Sequence, residues 1–377
     1  MYHVRFLKVP YIVPPEAGHR PRRKLGSSHS TAPPSTSKDH VIFQLMVTIV
    51  TELGDNYFYG TANVRAILYM IRSDGSESVL GIERSQWTMG MRALPITISV
   101  LKSQMKKVVA SHIKFKVVIN ISDFSDKSPL FYDSQQAPVK ALFLTVSSLA
   151  FSFTPVKVIY EDDHGLYAQR LIPLANMKPL ILYEEIGDSM AKHLWDSGVF
   201  LCQYLSQSLS NLELFKLQFP HYSSILEIGC GCGTVGIAMS EIYPSATVLL
   251  TDLESAEDVC TRNISIHPQK KNLSFITYDW DKSENTSETI AQVERTWDIV
   301  IACDCTYNPD SFDIFTDALE RVMTNPASRL LLLHKERHGS ENMVFDMLRE
   351  KNGLSLIWKH ELDPVPLKAR VEVFARK

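Results

Sequence analysis

The stretch Ser224-Ile225-Leu226-Glu227-Ile228-Gly229-Cys230-Gly231-Cys232-Gly233-Thr234-Val235-Gly236 constrains this chain more than any other. Ser224 to Ile228 reads as a short buried strand. Gly229, Gly231 and Gly233 stand at alternate positions, and Gly236 follows where a helix must pack closely on that strand. Glycine removes side chains from a turn and permits positive φ, so the backbone can wrap closely around a small polar ligand. A strand, a glycine turn and a helix in this order are the context of a nucleotide-type loop in an open α/β sheet. An ordinary glycine-rich turn of any α/β protein is the alternative, and this segment alone does not separate the two.

Glu227 narrows the ligand. A dinucleotide loop holds a pyrophosphate at the helix N-terminus, and a carboxylate two residues before the turn repels phosphate. It suits a cationic or hydroxylated ligand instead. A second strand, Thr247 to Thr251, ends in Asp252, 23 residues beyond Gly229. A carboxylate about 20 residues past the turn is placed to accept hydrogen bonds from a ribose diol. Capping the helix that starts near Ser255 is the other role open to Asp252. A third strand, Leu273 to Tyr278, ends at Asp279-Trp280, an acid for an adenine amino group beside an indole able to stack on the base. A fourth, Asp298 to Asp304, runs into Cys305-Thr306-Tyr307-Asn308-Pro309. Four successive strand ends thus deliver polar groups to one edge, where open α/β sheets bind ligands.

The E-x-G-x-G-x-G order resembles the first motif of class I methyltransferases that use S-adenosylmethionine, a cofactor with a sulfonium, an ammonium and a ribose but no phosphate. With Leu194-Trp195-Asp196-Ser197-Gly198, Thr251-Asp252, Asp279-Trp280 and Asp304-Cys305-Thr306-Tyr307, residues from about 186 to 377 resemble the seven-strand protein-lysine methyltransferases of family 16. The wording Cys-Asp-Cys-Thr-Tyr-Asn-Pro is most similar to the fungal elongation-factor branch. The resemblance implies a seven-stranded, mostly parallel Rossmann-like α/β sheet with helices on both faces, S-adenosylmethionine as cofactor, and a protein substrate such as a translation elongation factor. It implies that Trp195 contacts the cofactor from a helix before the first strand. Glu227, Gly229 and Gly231 would hold its methionine part, Asp252 its ribose, and Asp279 and Trp280 its adenine. Cys303 would touch it through the backbone. Asp304 and Tyr307, the D-x-x-Y pair, would stand where the substrate lysine enters. Turn roles are the alternative for both: Asp304 satisfying backbone donors, Tyr307 packing as a turn aromatic. Cys305 and Thr306 depart from many members of the family. The N-P-P-aromatic motif of amide and adenine methyltransferases is only partly imitated by Asn308-Pro309-Asp310, which favours an amine acceptor.

The remaining readings set the frame. The 377 residues suffice for two domains. Hydrophobic content of 45% with 21% charged residues is that of a globular protein, and a net charge of -3 supplies no general attraction to nucleic acid. The six cysteines include two C-x-C pairs whose spacing does not suit zinc, so no metal is expected and free thiols point to a reducing compartment. Cytoplasmic residence is expected, with the nucleus as the other option, and a monomer that meets neither membrane nor nucleic acid. Residues 1–40, with Arg20 to Lys24 basic and a Ser/Thr/Pro stretch after it, read as a disordered tail. Residues 41–185 read as an α+β accessory region without a catalytic pattern. Strand candidates there lie at Ile113–Ile119, Val139–Phe153 and Val156–Tyr160, while Val41–Thr51 fits strand or helix. Gln169–Tyr183 reads as an extended lead-in because Pro173 and Pro179 oppose a helix. In the 186–377 domain, helices are expected at Asp188–Leu205, Ser311–Met323 and Glu341–Glu350. A fifth strand is expected at Arg329–His334, and a closing hairpin near Leu354–Trp358 and Arg370–Ala375. His334 is a candidate to face substrate, whereas Lys335 and Arg337 read as solvated charge.

Overall fold

The computed structural model describes residues 2–13, 39–51, 57–106, 113–126, 143–144, 146–153, 158–160, 166–174, 177–187, 189–206, 219, 223–267, 271–336, 338–361 and 369–376. Two compact units divide the chain, one over Tyr2–Ser128 and Phe143–Gln169, the other over Arg170–Lys377.

The first unit is made of strands. In chain order they are β1 (Tyr2–Ile12), β2 (His40–Val50), β3 (Gly60–Ile71), β4 (Glu77–Trp87), β5 (Leu94–Leu101), β6 (Lys114–Asp126), β7 (Phe143–Leu144), β8 (Val146–Ser148), β9 (Phe151–Phe153) and β10 (Val158–Tyr160). A five-residue helix, α1 (Lys102–Lys106), follows β5. One sheet has the order β5-β2-β1-β7. In a second, β3 pairs with β4 and β6, and β6 pairs with β8 and β9, all antiparallel. Period-two burial drives these pairings: Leu94, Ile96, Ile98 and Val100 of β5 are buried while the residues between them are not. Phe115 and Phe151 pack with ring centroids 6.0 Å apart, and the Trp87 indole donates to the Phe58 carbonyl at 3.0 Å.

Two expectations change here. Tyr2–Ile12, placed within a disordered tail, is β1, in antiparallel register with β2 and burying Val4 and Phe6. Val4 and Phe6 share one face of that strand. The accessory region expected to be α+β is β throughout its described residues apart from α1. The candidate at Ile113–Ile119 falls in β6, that at Val41–Thr51 in β2, and Val158–Tyr160 of the last candidate is β10, its first two residues lying outside the described ones. The Arg20–Lys24 cluster, residues 139–142 and Asp188 lie outside the described residues.

Two strands, β11 (Tyr167–Ile172) and β12 (Leu180–Glu185), precede the parallel sheet, and the expected lead-in is extended at both of them. The second unit then alternates helix and strand: α2 (Asp196–Ser206), β13 (Ser224–Ile228), α3 (Thr234–Ile242), β14 (Thr247–Asp252), α4 (Glu254–Ser265), β15 (Leu273–Thr277), α5 (Ser287–Val293), β16 (Ile299–Cys303), α6 (Phe312–Val322), β17 (Arg329–Lys335), α7 (Met343–Glu350), β18 (Leu354–Glu361) and β19 (Ala369–Arg376). The seven strands have the order β15-β14-β13-β16-β17-β19-β18. The first five are parallel, and β19 runs antiparallel between β17 and β18. This is the expected seven-stranded, mostly parallel sheet with its closing hairpin. Continuous apolar runs such as Leu330 to Leu333, all fully buried, are what a sheet covered on both faces requires. Helix α6 buries Phe312, Phe315, Leu319 and Val322 at helical spacing against that sheet.

The order reverses between β13 and β16, because the chain moves outward through β14 and β15 before returning to the other side of β13. Such a switch leaves a crevice at the C-terminal strand ends. The loops after β13 and β16, at Gly229–Gly233 and Asp304–Asn308, both open there.

Candidate active site

A cavity of about 390 Å³ occupies this crevice, within the usual range for a small-ligand site. All ten residues singled out from the sequence line it: Trp195, Glu227, Gly229, Gly231, Asp252, Asp279, Trp280, Cys303, Asp304 and Tyr307.

The glycine loop shapes its floor. Gly229 adopts φ 65°, in the left-handed region that favours glycine, and a Cβ there would stand 2.8 Å from the Cys305 sulfur and 3.2 Å from the Trp280 ring. At Gly236 a Cβ would meet Leu250 Cδ2 at 2.0 Å and Glu227 Oε2 at 2.7 Å, so α3 lies on the sheet at glycine distance.

Two acids brace the loop. Glu227, 1% exposed, accepts the Gly236 N–H through Oε2 at 2.7 Å. Burial pushes its carboxyl up to about 8, against the lowering effect of that hydrogen bond. Asp252 accepts the Gly231 N–H through Oδ2 and the Leu253 N–H through Oδ1, each at 2.7 Å. It does not cap α4, whose N-cap residue is Leu253. Burial raises the Asp252 carboxyl, opposed by these two backbone donors. Every carboxylate oxygen keeps lone pairs beyond one accepted bond, so both acids retain capacity toward the cavity they line.

Farther along the sheet edge, the Asp279 backbone is bracketed by Asn285, which accepts from its N–H at 2.9 Å and donates to its carbonyl at 2.7 Å. Trp280 packs against Phe315 with centroids 5.3 Å apart, and Arg321 holds its carbonyl at 2.6 Å. On the other side, Trp195 and Tyr307 face each other with near-parallel rings, 6.3 Å between centroids and 15° between planes. Tyr307 is 47% exposed and Asp304 8%, so the ring stands at the mouth and the carboxyl farther in. Asp304 is the one non-glycine with positive φ, 61°, among the described residues. Trp195 lies one residue before α2 rather than within it, its carbonyl accepting the Val199 N–H. The expected helix from Asp188 begins later because Met190–Lys192 forms a separate 3-10 turn.

Several contributors were not singled out from sequence. Met190, Ala191, His193, Leu253 and Ile314 also line the cavity. Asn263, fully buried in α4, accepts the Tyr183 N–H at 2.7 Å and donates to the carbonyls of Tyr183 and Cys232 at 2.9 Å, joining β12 to the glycine loop. Glu184, paired with Arg170 in the interior, accepts the Leu194 N–H at 3.1 Å. An asparagine or an ion pair inside amphipathic elements carries no spacing signal. Two predicted placements are corrected. Lys335 is not solvated: it is 2% exposed and pairs with Asp196 at 2.8 Å. His334, 1% exposed, faces Thr306 rather than the cavity. Both are the last two residues of β17, an interior strand paired with β16 on one side and β19 on the other. Arg337 is outside the described residues. The cysteines are free, and four of the six line the cavity as small walls. No cluster among the described residues could hold a metal ion, and none of their helices is long and apolar enough to cross a membrane.

The lining includes four acids and no lysine or arginine. Such a wall opposes phosphate and favours a ligand with positive charge and hydroxyls, while Trp280 and Leu253 offer apolar surface for a ring.

Residues 174–351 match the lysine methyltransferase family model. A UPF0665 family protein of Schizosaccharomyces pombe is 31% identical over 165 residues, 42% of this chain and 46% of that protein. The protein N-lysine methyltransferase METTL21A of Xenopus tropicalis is 24% identical over 171 residues, 44% of this chain and 70% of that protein. The chain thus spans under half the length of the fission-yeast relative. Magnesium protoporphyrin IX methyltransferase from Synechocystis, solved with bound SAM, superposes at TM-score 0.36 with 14% identity over 49% of this chain and 86% of that one.

Proposed function

Residues 174–351 belong to the lysine methyltransferase family, and from that premise we propose that the chain is a protein-lysine N-methyltransferase using S-adenosylmethionine. The observation that carries the reading is the cavity itself: a glycine loop, four acids and no lysine or arginine, with Tyr307 at its mouth and Asp304 farther in. When bound, S-adenosylmethionine supplies a methyl group already activated on a sulfonium. Glu227 and Asp252 bind the cationic and hydroxylated parts, a bound cation favouring the ionised Glu227 carboxylate over the protonated form that burial favours without ligand. Asp279 and Trp280 border the base, and Cys303 closes the wall.

The acceptor must arrive as a neutral amine, whereas a free lysine has a pKa near ~10.4. Asp304 draws in the ammonium and passes its proton to water. The Tyr307 hydroxyl orients the nitrogen, and the Trp195 and Tyr307 rings bound the approach of the side chain. Positioning of the two reactants carries most of the acceleration. A translation elongation factor is the substrate that the Cys303–Pro309 wording suggests, and METTL21A, described as a protein N-lysine methyltransferase, supports a protein acceptor.

The test is incubation with tritium-labelled S-adenosylmethionine and a eukaryotic lysate, followed by nuclease or protease treatment and mass spectrometry of the labelled band. Methyl-lysine in a protein is expected. Label that disappears with ribonuclease, or that resides in small molecules, would overturn the reading.

A further inference from the structure

The backbone of Asp304 poses a question that its side chain does not answer. A non-glycine residue at φ 61° is held in a sparsely populated conformation and persists there only when its surroundings over-determine it. Two contacts from β17 do so. The Asp304 N–H donates to the Leu333 carbonyl at 3.1 Å. The next residue, His334, places Nδ1 2.7 Å from the Thr306 hydroxyl. Thr306, 2% exposed, stands in the chain between Asp304 and Tyr307. The imidazole is itself fixed. The Phe345 ring meets it edge-on, at 5.1 Å and 90°, and a Glu341 oxygen lies 3.9 Å from its Nε2.

We propose that His334 is the positioning residue of the Asp304–Tyr307 loop, acting through Thr306 to keep Asp304 in its left-handed conformation and so to set where the Asp304 carboxyl and the Tyr307 ring stand. The assignment rests on the proposed methyl transfer for its catalytic meaning, but the backbone restraint is independent of it. The bond is not replaced by packing alone. A buried imidazole facing a hydroxyl leaves that hydroxyl unsatisfied when the ring is lost, and the loop then relaxes toward ordinary backbone. Asp304 and Tyr307 shift together, and a misplacement of about 1 Å at a reacting group costs on the order of 100-fold in rate.

Four variants test it: His334→Leu and Thr306→Val, which remove the bond, and His334→Asn and Thr306→Ser, which keep a polar atom near the same place. The first readout is amide hydrogen exchange over residues 304–307, measured by mass spectrometry on the full chain. The second is methyl transfer from labelled S-adenosylmethionine to lysate protein, alongside S-adenosylhomocysteine affinity by calorimetry. His334→Leu and Thr306→Val are expected to speed exchange in this segment and to lower the rate of transfer by about 10- to 100-fold, with cofactor affinity nearly unchanged. His334→Asn and Thr306→Ser are expected to restore most of both. Should His334→Leu fail to fold, Thr306→Val reads the same bond from the other partner. Unchanged exchange at 304–307 in a folded Thr306→Val, or an Asn variant as impaired as Leu, would overturn the assignment. A wild-type chain that transfers no methyl group would count against the proposed function, while the exchange experiment would still decide the role of His334.

Discussion

The Nζ of Lys335 lies 2.8 Å from Oδ2 of Asp196, and neither side chain is more than 2% exposed. The pair ties the end of β17 to the first residue of α2, immediately after Trp195. Taking two such charges out of water is costly, and the pair offsets that only while both partners are present.

Lys335→Met is therefore expected to destabilise the protein by about 3–5 kcal/mol, because it strands a buried carboxylate. Adding Asp196→Leu should recover a large part of that loss. Urea denaturation of the two single variants and the double variant measures the coupling. Equal losses in Lys335→Met and the double variant would show that the pair does not act as a unit.

How far this pair was legible explains where sequence reading ends. The glycine loop, Asp252, Asp279 and the D-x-x-Y pair announce themselves through order and spacing, because parallel strands deliver their ends to one edge whatever the surroundings. The whole sheet follows from the same logic, since its strands are apolar runs separated by helical periods. Lys335 was misplaced because a lysine at a strand end is usually solvated, and only tertiary packing brings Asp196, 139 residues away, against it. Asn263 and His334 fail the same way. In the first unit, β5 alternates apolar residues from Leu94 to Val100, a readable strand that was not singled out. β1 was absorbed into the polar composition that follows it.

At Gly236 the sheet leaves no room for a methyl group, with Leu250 Cδ2 at 2.0 Å from an ideal Cβ. Gly236→Ala is expected to cost about 1–3 kcal/mol, the usual range for overpacking a core. It should also weaken cofactor binding, because the same Cβ would press on the Glu227 carboxyl. Gly339, with nothing within 4 Å of its Cβ position, is the control. Thermal unfolding with and without S-adenosylhomocysteine reads both effects, and equal melting temperatures for the two alanine variants would refute the close packing.

Glu227 gives stability a definite pH dependence. Burial raises its carboxyl to about 8 in the folded chain, whereas an unfolded glutamate titrates near ~4.3. Between those values the native state holds a proton that the unfolded state has lost. Stability of the unliganded protein is thus expected to fall as pH rises through this window and to level off above it. Asp252, also raised by burial, acts with the same sign. Glu227→Gln, which can still accept the Gly236 N–H, should flatten most of the slope. Denaturant midpoints at pH 6 and pH 8.5 for both proteins decide it, and a wild type that becomes more stable with rising pH would contradict the assignment.

Asp304 must be tested with its backbone in mind. Alanine at φ 61° incurs about 1–2 kcal/mol of left-handed strain, whereas asparagine tolerates that conformation. Asp304→Asn therefore removes the carboxylate and leaves the turn, and Asp304→Ala disturbs both. Loss of the proton relay is expected to lower methyl transfer by about 10²- to 10⁴-fold in the asparagine variant. Its S-adenosylhomocysteine affinity and unfolding midpoint should stay near wild type, and only the alanine variant should also lose stability. Transfer assays with labelled cofactor, paired with calorimetry, separate the outcomes. An asparagine variant that transfers methyl groups at the wild-type rate would leave Asp304 as a turn residue. One that no longer binds cofactor would move Asp304 from the substrate side of the cavity to the cofactor side.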